Sequence, residues 1–322
     1  MAAFLIRRLG YSVIVLLVAS FITFIGIRET VNPLAKFAFS KDKTAVARLK
    51  KSEGLDKPLV VQYQRFLGKF VAGDWGTSSR TGDSVTSMLR PAMYNTLQLI
   101  IPGIIISLIL AVTLGIYSAV KQYSIGDYLF TSLSFLGISM PPFWFGLLAI
   151  EFLAFKPKQM FGLANTPLDF VGLHTPGQSG WNVDYLQHLI LPVLTLTVQF
   201  IAEWSRYQRS SMLDVMSLDY VRTATAKGVS RRNVVVKHAF RNALIPVVSV
   251  VAIDIGGLFG GLIITEQIFS IQGMGKVFID ALNAGDAQVL VIWTLVTAGF
   301  VVLFNMFADI AYGFLDPRVR LS

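Results

Sequence analysis

Asn95–Val120, NTLQLIIPGIIISLILAVTLGIYSAV, runs for 26 residues without one formal charge. A helix rises about 1.5 Å per residue, so roughly 20 apolar residues cross the hydrocarbon core of a bilayer. The stretch therefore reads as a membrane span. Five other runs have comparable character: Leu9–Ile27, Tyr128–Phe155, His188–Ser205, Ala243–Ile264 and Val289–Tyr312. Composition agrees, since 54% of the 322 residues are apolar and the mean hydropathy is +0.61. That excess excludes an ordinary soluble protein and points to an all-α polytopic membrane protein with six transmembrane helices.

The first run follows Arg7-Arg8 and ends in Arg28-Glu29 without a small-residue cleavage site. Its apolar part is also too long for a secretory signal, so it reads as a retained span. The formal charge of +9 fits basic cytoplasmic loops, and no aromatic-basic motif accompanies it that would suggest nucleic acid. Lys and Arg cluster in residues 1–8, between spans four and five, and after span six, which places both termini inside. The expected organisation is a cytoplasmic N-terminus and first helix over 1–28, then an extracytoplasmic cap over 29–94. A transmembrane core over 95–322 follows, with a cytoplasmic loop at 206–242. Short helices over Thr44–Gly54 and Pro58–Val71 are expected to lie over the spans, and Lys156–Gln187 to form an irregular lid.

Three features inside the spans are candidates for a translocation path. Pro141-Pro142 removes two adjacent backbone donors and predicts a kink or break in the third span. Gly256, Gly257, Gly260 and Gly261 form overlapping GxxxG patterns, suited to close helix packing, a subunit interface or a flexible gate. Asp254 lies one turn earlier, where a carboxylate is costly unless paired or facing water. Gln199 or Asn305 could pair with it, or it could line an aqueous path. Glu151, Glu203 and Asp309 sit near span ends and read as structural.

Catalytic patterns are missing. There is no HExxH, and His174, His188 and His238 read as too dispersed for a metal site. A phosphate-binding loop fails because Val277 follows Gly275-Lys276 and Ser270 stands at the first glycine position. The absence of cysteine excludes disulfides and thiolate metal sites. Energy for work on a substrate must then enter from a partner or a gradient.

The longest charged segment between two spans is Asp219–Pro246, DYVRTATAKGVSRRNVVVKHAFRNALIP, with six Lys or Arg residues. Arg222-Thr223-Ala224, Gly228 and His238-Ala239-Phe240-Arg241-Asn242 resemble the EAA loop of ATP-binding-cassette importer permeases. The variant is that of B-type subunits for dipeptides, oligopeptides and nickel. The resemblance extends to Gly54-Leu55-Asp56-Lys57-Pro58, Gly73-Asp74-Trp75-Gly76, Thr81-Gly82, Asn95-Thr96-Leu97 and Ser139-Met140-Pro141-Pro142-Phe143-Trp144. It continues through Gly256-Gly257-Leu258-Phe259-Gly260-Gly261, Glu266, Gly273-Met274-Gly275 and Leu315-Asp316-Pro317-Arg318. Asn32-Pro33-Leu34 and the insertion-like Phe37–Lys51 depart from the pattern.

The resemblance implies a type I permease fold in the bacterial inner membrane. It implies as partners a second, C-type permease, two cytoplasmic ATPases, an extracytoplasmic solute-binding protein and membrane lipid. ATP and Mg would be held by the ATPases, and no cofactor or metal by this chain. Coupling to the ATPases would fall to Asp219, Tyr220, Val221, Arg222, Ala224, Lys227, Gly228, Arg231, His238, Arg241 and Asn242. Tyr220 and Val221 would be apolar anchors of a surface helix, with Gly228 at a turn where a side chain would clash. Peptides are the expected cargo. Nickel, glutathione or oligosaccharide remain alternatives, and a non-transporting scaffold or receptor subunit is a reading of a different class.

Overall fold

The computed structural model describes residues 2–30, 54 and 56–315, and every regular element among them is helical. Asn32-Pro33-Leu34, Phe37–Lys51, the Thr44–Gly54 helix apart from Gly54 itself, and Asp316-Pro317-Arg318 lie outside the described residues. The helices are α1 (Ala2–Thr30), α2 (Leu59–Val71), α3 (Val85–Val120), α4 (Ile125–Ser139), α5 (Pro142–Ile150), α6 (Lys156–Phe161) and α7 (Val183–Met216). They continue with α8 (Asp219–Ala226), α9 (Arg231–Asn233), α10 (Phe240–Gly261), α11 (Ile263–Ile268), α12 (Met274–Ala284) and α13 (Ala287–Leu315). Single π-helical turns at Glu151–Phe155 and Val234–Ala239 join α5 to α6 and α9 to α10.

Five helical stretches are long and apolar enough to cross a membrane: Leu9–Ile27, Val85–Val120, Val183–Met216, Arg231–Leu258 and Ala287–Ala311. A sixth is obtained if α4 and the α5–α6 segment, bent by 105° to each other, make one span. The bend lies at the double proline. Pro141 is extended (φ −60°, ψ 140°) and Pro142 opens α5, where its missing N–H is no loss. The break frees carbonyls at the end of α4, and Gln199 Nε2 on α7 donates to Met140 O at 3.1 Å. Gln199 thus serves the broken helix and not Asp254.

Helices overrun the hydropathy boundaries. α3 begins ten residues before Asn95, and α7 continues through Met216, into the segment expected to be loop. These two pack along their length. A Cβ on Gly115 would lie 2.6 Å from Gln208 Cβ and 2.8 Å from Ser205 O, so glycine sets the approach of the backbones there. α4 is fastened to α7 by a two-pronged ion pair: Arg209 Nε and Nη2 donate to the Asp127 carboxylate at 2.8 and 2.9 Å. Asp127 is 2% exposed, and the pairing makes a charge in that position tolerable.

α2 does not lie over the spans. Its Tyr63 hydroxyl donates to Leu17 O at 2.9 Å and meets Ser20 Oγ at 2.6 Å, so it flanks the middle of the first apolar run. The apolar side of α2 carries Tyr63, Phe66, Leu67 and Phe70 onto Phe21, Phe24, Val291 and Leu295. A polar joint follows. Asp286, 2% exposed, accepts from the Ser78 hydroxyl, from Ser79 N (3.2 Å) and Oγ (3.0 Å), and from Val289 N (3.3 Å). One carboxylate thereby caps α13 and holds the 78–81 turn.

Candidate functional site

The segment singled out by its charge folds into a short helix, a turn and a π-helical entry to α10. Gly228 has φ +80°, and the two bonds of a Schellman turn close α8: Gly228 N to Thr225 O (3.0 Å) and Val229 N to Ala224 O (3.2 Å). Left-handed backbone is the reason for glycine here. The expected clash is absent, because a Cβ at Gly228 would meet nothing within 4 Å.

Val229 folds back onto Val221, Ala224 and Val234. Val221 is only 4% exposed and Ala224 8%, so both face their own chain. Of the two expected anchors, Tyr220 alone offers surface, at 40% exposure. Its hydroxyl donates to His238 O (3.2 Å) and accepts from Asn242 Nδ2 (2.7 Å), which fixes α8 against the start of α10. Arg231 Nη2 donates to Val120 O at 3.1 Å, tying the segment to the end of α3. Arg222 lies 3.8 Å from Asp219 in an exposed pair, and Lys227 and Arg241 are exposed. The result is a rigid, cationic knob with one aromatic side chain showing.

The candidates for a path do not converge on one site. Pro141 and Pro142 are exposed at the α4–α5 break. Gly256 is buried against α13, where a Cβ would meet Val301 Cγ1 at an ordinary contact distance of 3.4 Å; Gly257 is open. Gly260 and Gly261 end α10, and their surroundings lie outside the described residues. Asp254 is half-buried, and neither suggested partner reaches it. Trp204 Nε1, on a residue with no exposed surface, donates to Asp254 Oδ2 at 2.7 Å. Asp254→Leu would leave that indole N–H buried and unpaired, at a cost of about 1–3 kcal/mol. Thermal unfolding is expected to show this loss, with Asp254→Asn losing less because its amide oxygen still accepts. A Leu variant as stable as wild type would refute the pairing role.

A buried carboxylate without a role in the sequence reading organises the junction of α11 and α12. Glu266 of α11 has no exposed surface. Oε1 accepts from Thr96 Oγ1 at 2.6 Å and Oε2 from Lys276 N at 3.1 Å, with Gly275 N as a third donor. Thr96 in turn accepts from Met274 N at 2.8 Å. Glu266 therefore caps the N-terminus of α12 from the preceding helix. This explains Gly273-Met274-Gly275. A Cβ on Gly273 would fall inside the Glu266 carboxylate, and one on Gly275 would lie 2.5 Å from Ile263 Cα. Burial pushes the Glu266 carboxyl up to about 7, and the three donors offset that only in part.

The histidines are less scattered than their spacing suggests. His174 Nδ1 lies 3.5 Å and His188 Nδ1 3.7 Å from the Asp184 carboxylate, and Asp169 joins the group, its ligand atom within 4.8 Å of those of Asp184 and His188. Folding of the 162–182 loop onto the start of α7 brings them together. Thr175 N (3.1 Å) and Oγ1 (2.5 Å) occupy Asp184, and His188 Nδ1 faces Asp184 O at 2.8 Å, so the cluster pins that loop. His238 stays apart, beside α8.

Comparisons with known proteins place this architecture. The family described as binding-protein-dependent transport system inner membrane component matches residues 111–321, and its N-terminal companion matches 1–114. The oligopeptide transport system permease protein AppB of Bacillus subtilis is 37% identical over 99% of this chain and all of its own length. The dipeptide transport system permease protein DppB of Alkalihalophilus pseudofirmus is also 37% identical, over 99% of this chain and all of its own. The oligopeptide transport system permease protein OppB of Mycobacterium bovis is 35% identical over the whole of both chains.

Proposed function

Because the chain belongs to the family of inner-membrane components of binding-protein-dependent transport systems, we propose that it is one permease subunit of an ATP-driven peptide importer. In this reading it forms half of the translocation pathway for di- and oligopeptides. A second, C-type permease forms the other half, and an extracytoplasmic solute-binding protein delivers the cargo. Of two cytoplasmic ATPases in the assembly, one docks on the 219–242 segment. Both termini face the cytoplasm, in keeping with the Lys and Arg bias of the short loops.

The observation that carries the cargo assignment is full-length similarity to several permeases named for oligopeptides and dipeptides. The shape of α8 supports the coupling role. It is a short helix locked by its own turn and by Tyr220, so a push from a partner would pass into α10 without bending the segment between. Closure of the ATPases could then swing the permease pair as rigid bodies.

Reconstitution of the complete assembly in proteoliposomes tests the reading. ATP-dependent accumulation of labelled di- and tripeptides is the expected result, with no uptake of nickel, glutathione or oligosaccharide. Accumulation of one of those instead of peptide would reassign the cargo. A lack of any cargo-stimulated ATP turnover would favour a scaffold or receptor subunit.

A further inference from the structure

A cavity of about 300 Å³ opens between the start of α3, the loop before α7 and the segment joining α11 to α12. Tyr94, Asn95, Gln98, His174, Trp181 and Tyr185 supply the side chains that matter there. We propose that this cavity is a subsite for one uncharged residue of the peptide cargo, its apolar or aromatic side chain against the rings and its main-chain amide on the Tyr185 hydroxyl. The inference rests on the peptide reading above and goes beyond it in naming a place and a selectivity.

Tyr185 forms the floor. It is 2% exposed, yet its hydroxyl has no hydrogen-bonding partner among the described residues. A buried hydroxyl left unpaired is costly, and buried polar groups in native folds are nearly always satisfied. A ligand that bonds to this oxygen would remove the penalty. The ring cannot readily turn away to find a partner elsewhere. It is held between Trp181 and His174, with ring centroids at 5.0 and 5.3 Å.

The walls are built before any ligand arrives. Asn95 Nδ2 donates to Gln272 O at 2.9 Å, and Gln98 Nε2 to Asn95 Oδ1 at 3.2 Å. Gly172 N donates to Phe269 O at 2.7 Å, and the neighbouring Thr96 is held by Glu266. These bonds hold Asn95 and Gln98 in the wall, beside the Tyr185 side chain that lines the space.

The chemistry of the lining narrows the ligand. Its residues include no Asp, Glu, Lys or Arg, and the Asp184 carboxylate behind His174 is bonded to Thr175, so an acidic side chain would lose hydration and find no Lys or Arg to pair with. Tyr94 and Trp181, 57% and 77% exposed, give two aromatic faces at the rim on which a flat or apolar group can stack. The volume stands at the lower end of the roughly 300–1,000 Å³ found for ligand pockets, enough for a residue or two and not for a whole oligopeptide. One neutral residue could therefore be read while the rest of the cargo goes unread, as tolerance of many sequences requires.

The complete assembly in proteoliposomes provides the test, with Gly-Phe-Gly as transport probe and Gly-Bpa-Gly, carrying the photoreactive p-benzoylphenylalanine, as crosslinker. Crosslinks are expected on Tyr94, Trp181 or the 172–181 loop, and excess Gly-Phe-Gly should suppress them. Tyr185→Phe keeps the ring and removes the hydroxyl. It is expected to lower crosslink yield and Gly-Phe-Gly uptake about fivefold, the equivalent of one hydrogen bond, without changing peptide affinity of the binding protein. Trp181→Ala should act likewise, and Gly-Glu-Gly should compete poorly. If wild type imports Gly-Phe-Gly but the crosslinks map elsewhere, or both variants match wild type, the subsite is wrong and the peptide reading survives. If wild type imports no tripeptide while another cargo is taken up, the peptide reading falls and the subsite with it.

Discussion

Gly228→Asp is expected to reduce ATP-driven uptake and cargo-stimulated ATP hydrolysis to background while the chain still inserts and folds. The turn needs a left-handed residue, and an L-amino acid there costs about 1–2 kcal/mol. Aspartate is among the residues that tolerate this region best, and no atom of the chain stands within 4 Å of the new Cβ. Folding should therefore survive. A partner closing on α8 would instead meet a carboxylate where the bare turn had been, next in the chain to Lys227, whose charge it would partly neutralise. Gly228→Asn separates turn from surface, because it keeps the left-handed preference without the charge. Asn is expected to retain a substantial part of uptake and Asp none. Paired measurement of uptake and ATP hydrolysis in proteoliposomes decides the matter, and undiminished uptake by the Asp variant would end the docking role.

Loss of the Glu266 clamp should be the largest effect on stability. Glu266→Ala strips the acceptor from the buried Thr96 hydroxyl and from two main-chain donors of α12, the one at Lys276 only partly buried. At about 1–3 kcal/mol for each buried group left unpaired, a loss of roughly 3 kcal/mol or more is expected. Gly273→Ala should approach the same loss from the other side, by forcing the carboxylate out of its seat. The clamp also predicts a pH dependence. Burial pushes its carboxyl up to about 7 in the folded chain, from an ordinary value of 4.5. Between those values the folded state holds a proton that the unfolded state has released, so stability falls as pH rises from about 4.5 to 7 and levels off above. Each unit is worth about 1.4 kcal/mol. Glu266→Gln should flatten this slope. Unfolding midpoints for wild type and the Gln variant between pH 5 and 8 provide the check, and parallel profiles would remove Glu266 as the titrating group.

Much of the architecture is legible in the chain because lipid imposes a simple rule: a backbone crossing hydrocarbon must bond to itself. Uncharged runs such as Asn95–Val120 mark helices for that reason, and Pro141-Pro142 marks a break. Helix ends are less legible. α3 starts at Val85 and α7 runs to Met216 because polar residues continue a helix outside the lipid at no cost that hydropathy registers. The surface helix at Asp219–Ala226 could be placed from its glycine and its charges, but its orientation could not. Val221 and Tyr220 are neighbours of similar apolar character, and which of them turns inward depends on Val234, thirteen positions after Val221.

What the sequence determined by itself is the class of molecule, the long apolar helices, the proline break and the charged segment at Asp219–Pro246, all of which follow from local composition and backbone chemistry. Tertiary structure alone decided the pairings. Glu266 meets Thr96 from 170 positions away, Asp127 meets Arg209 from 82, and Trp204 meets Asp254 from 50. It also moved Gln199 from Asp254 to the broken helix, and gathered His174 and His188 onto Asp184. The reason is that a buried polar group must be satisfied by whatever the fold brings within 3 Å, and that neighbour is chosen by helix packing in space and not by separation along the chain.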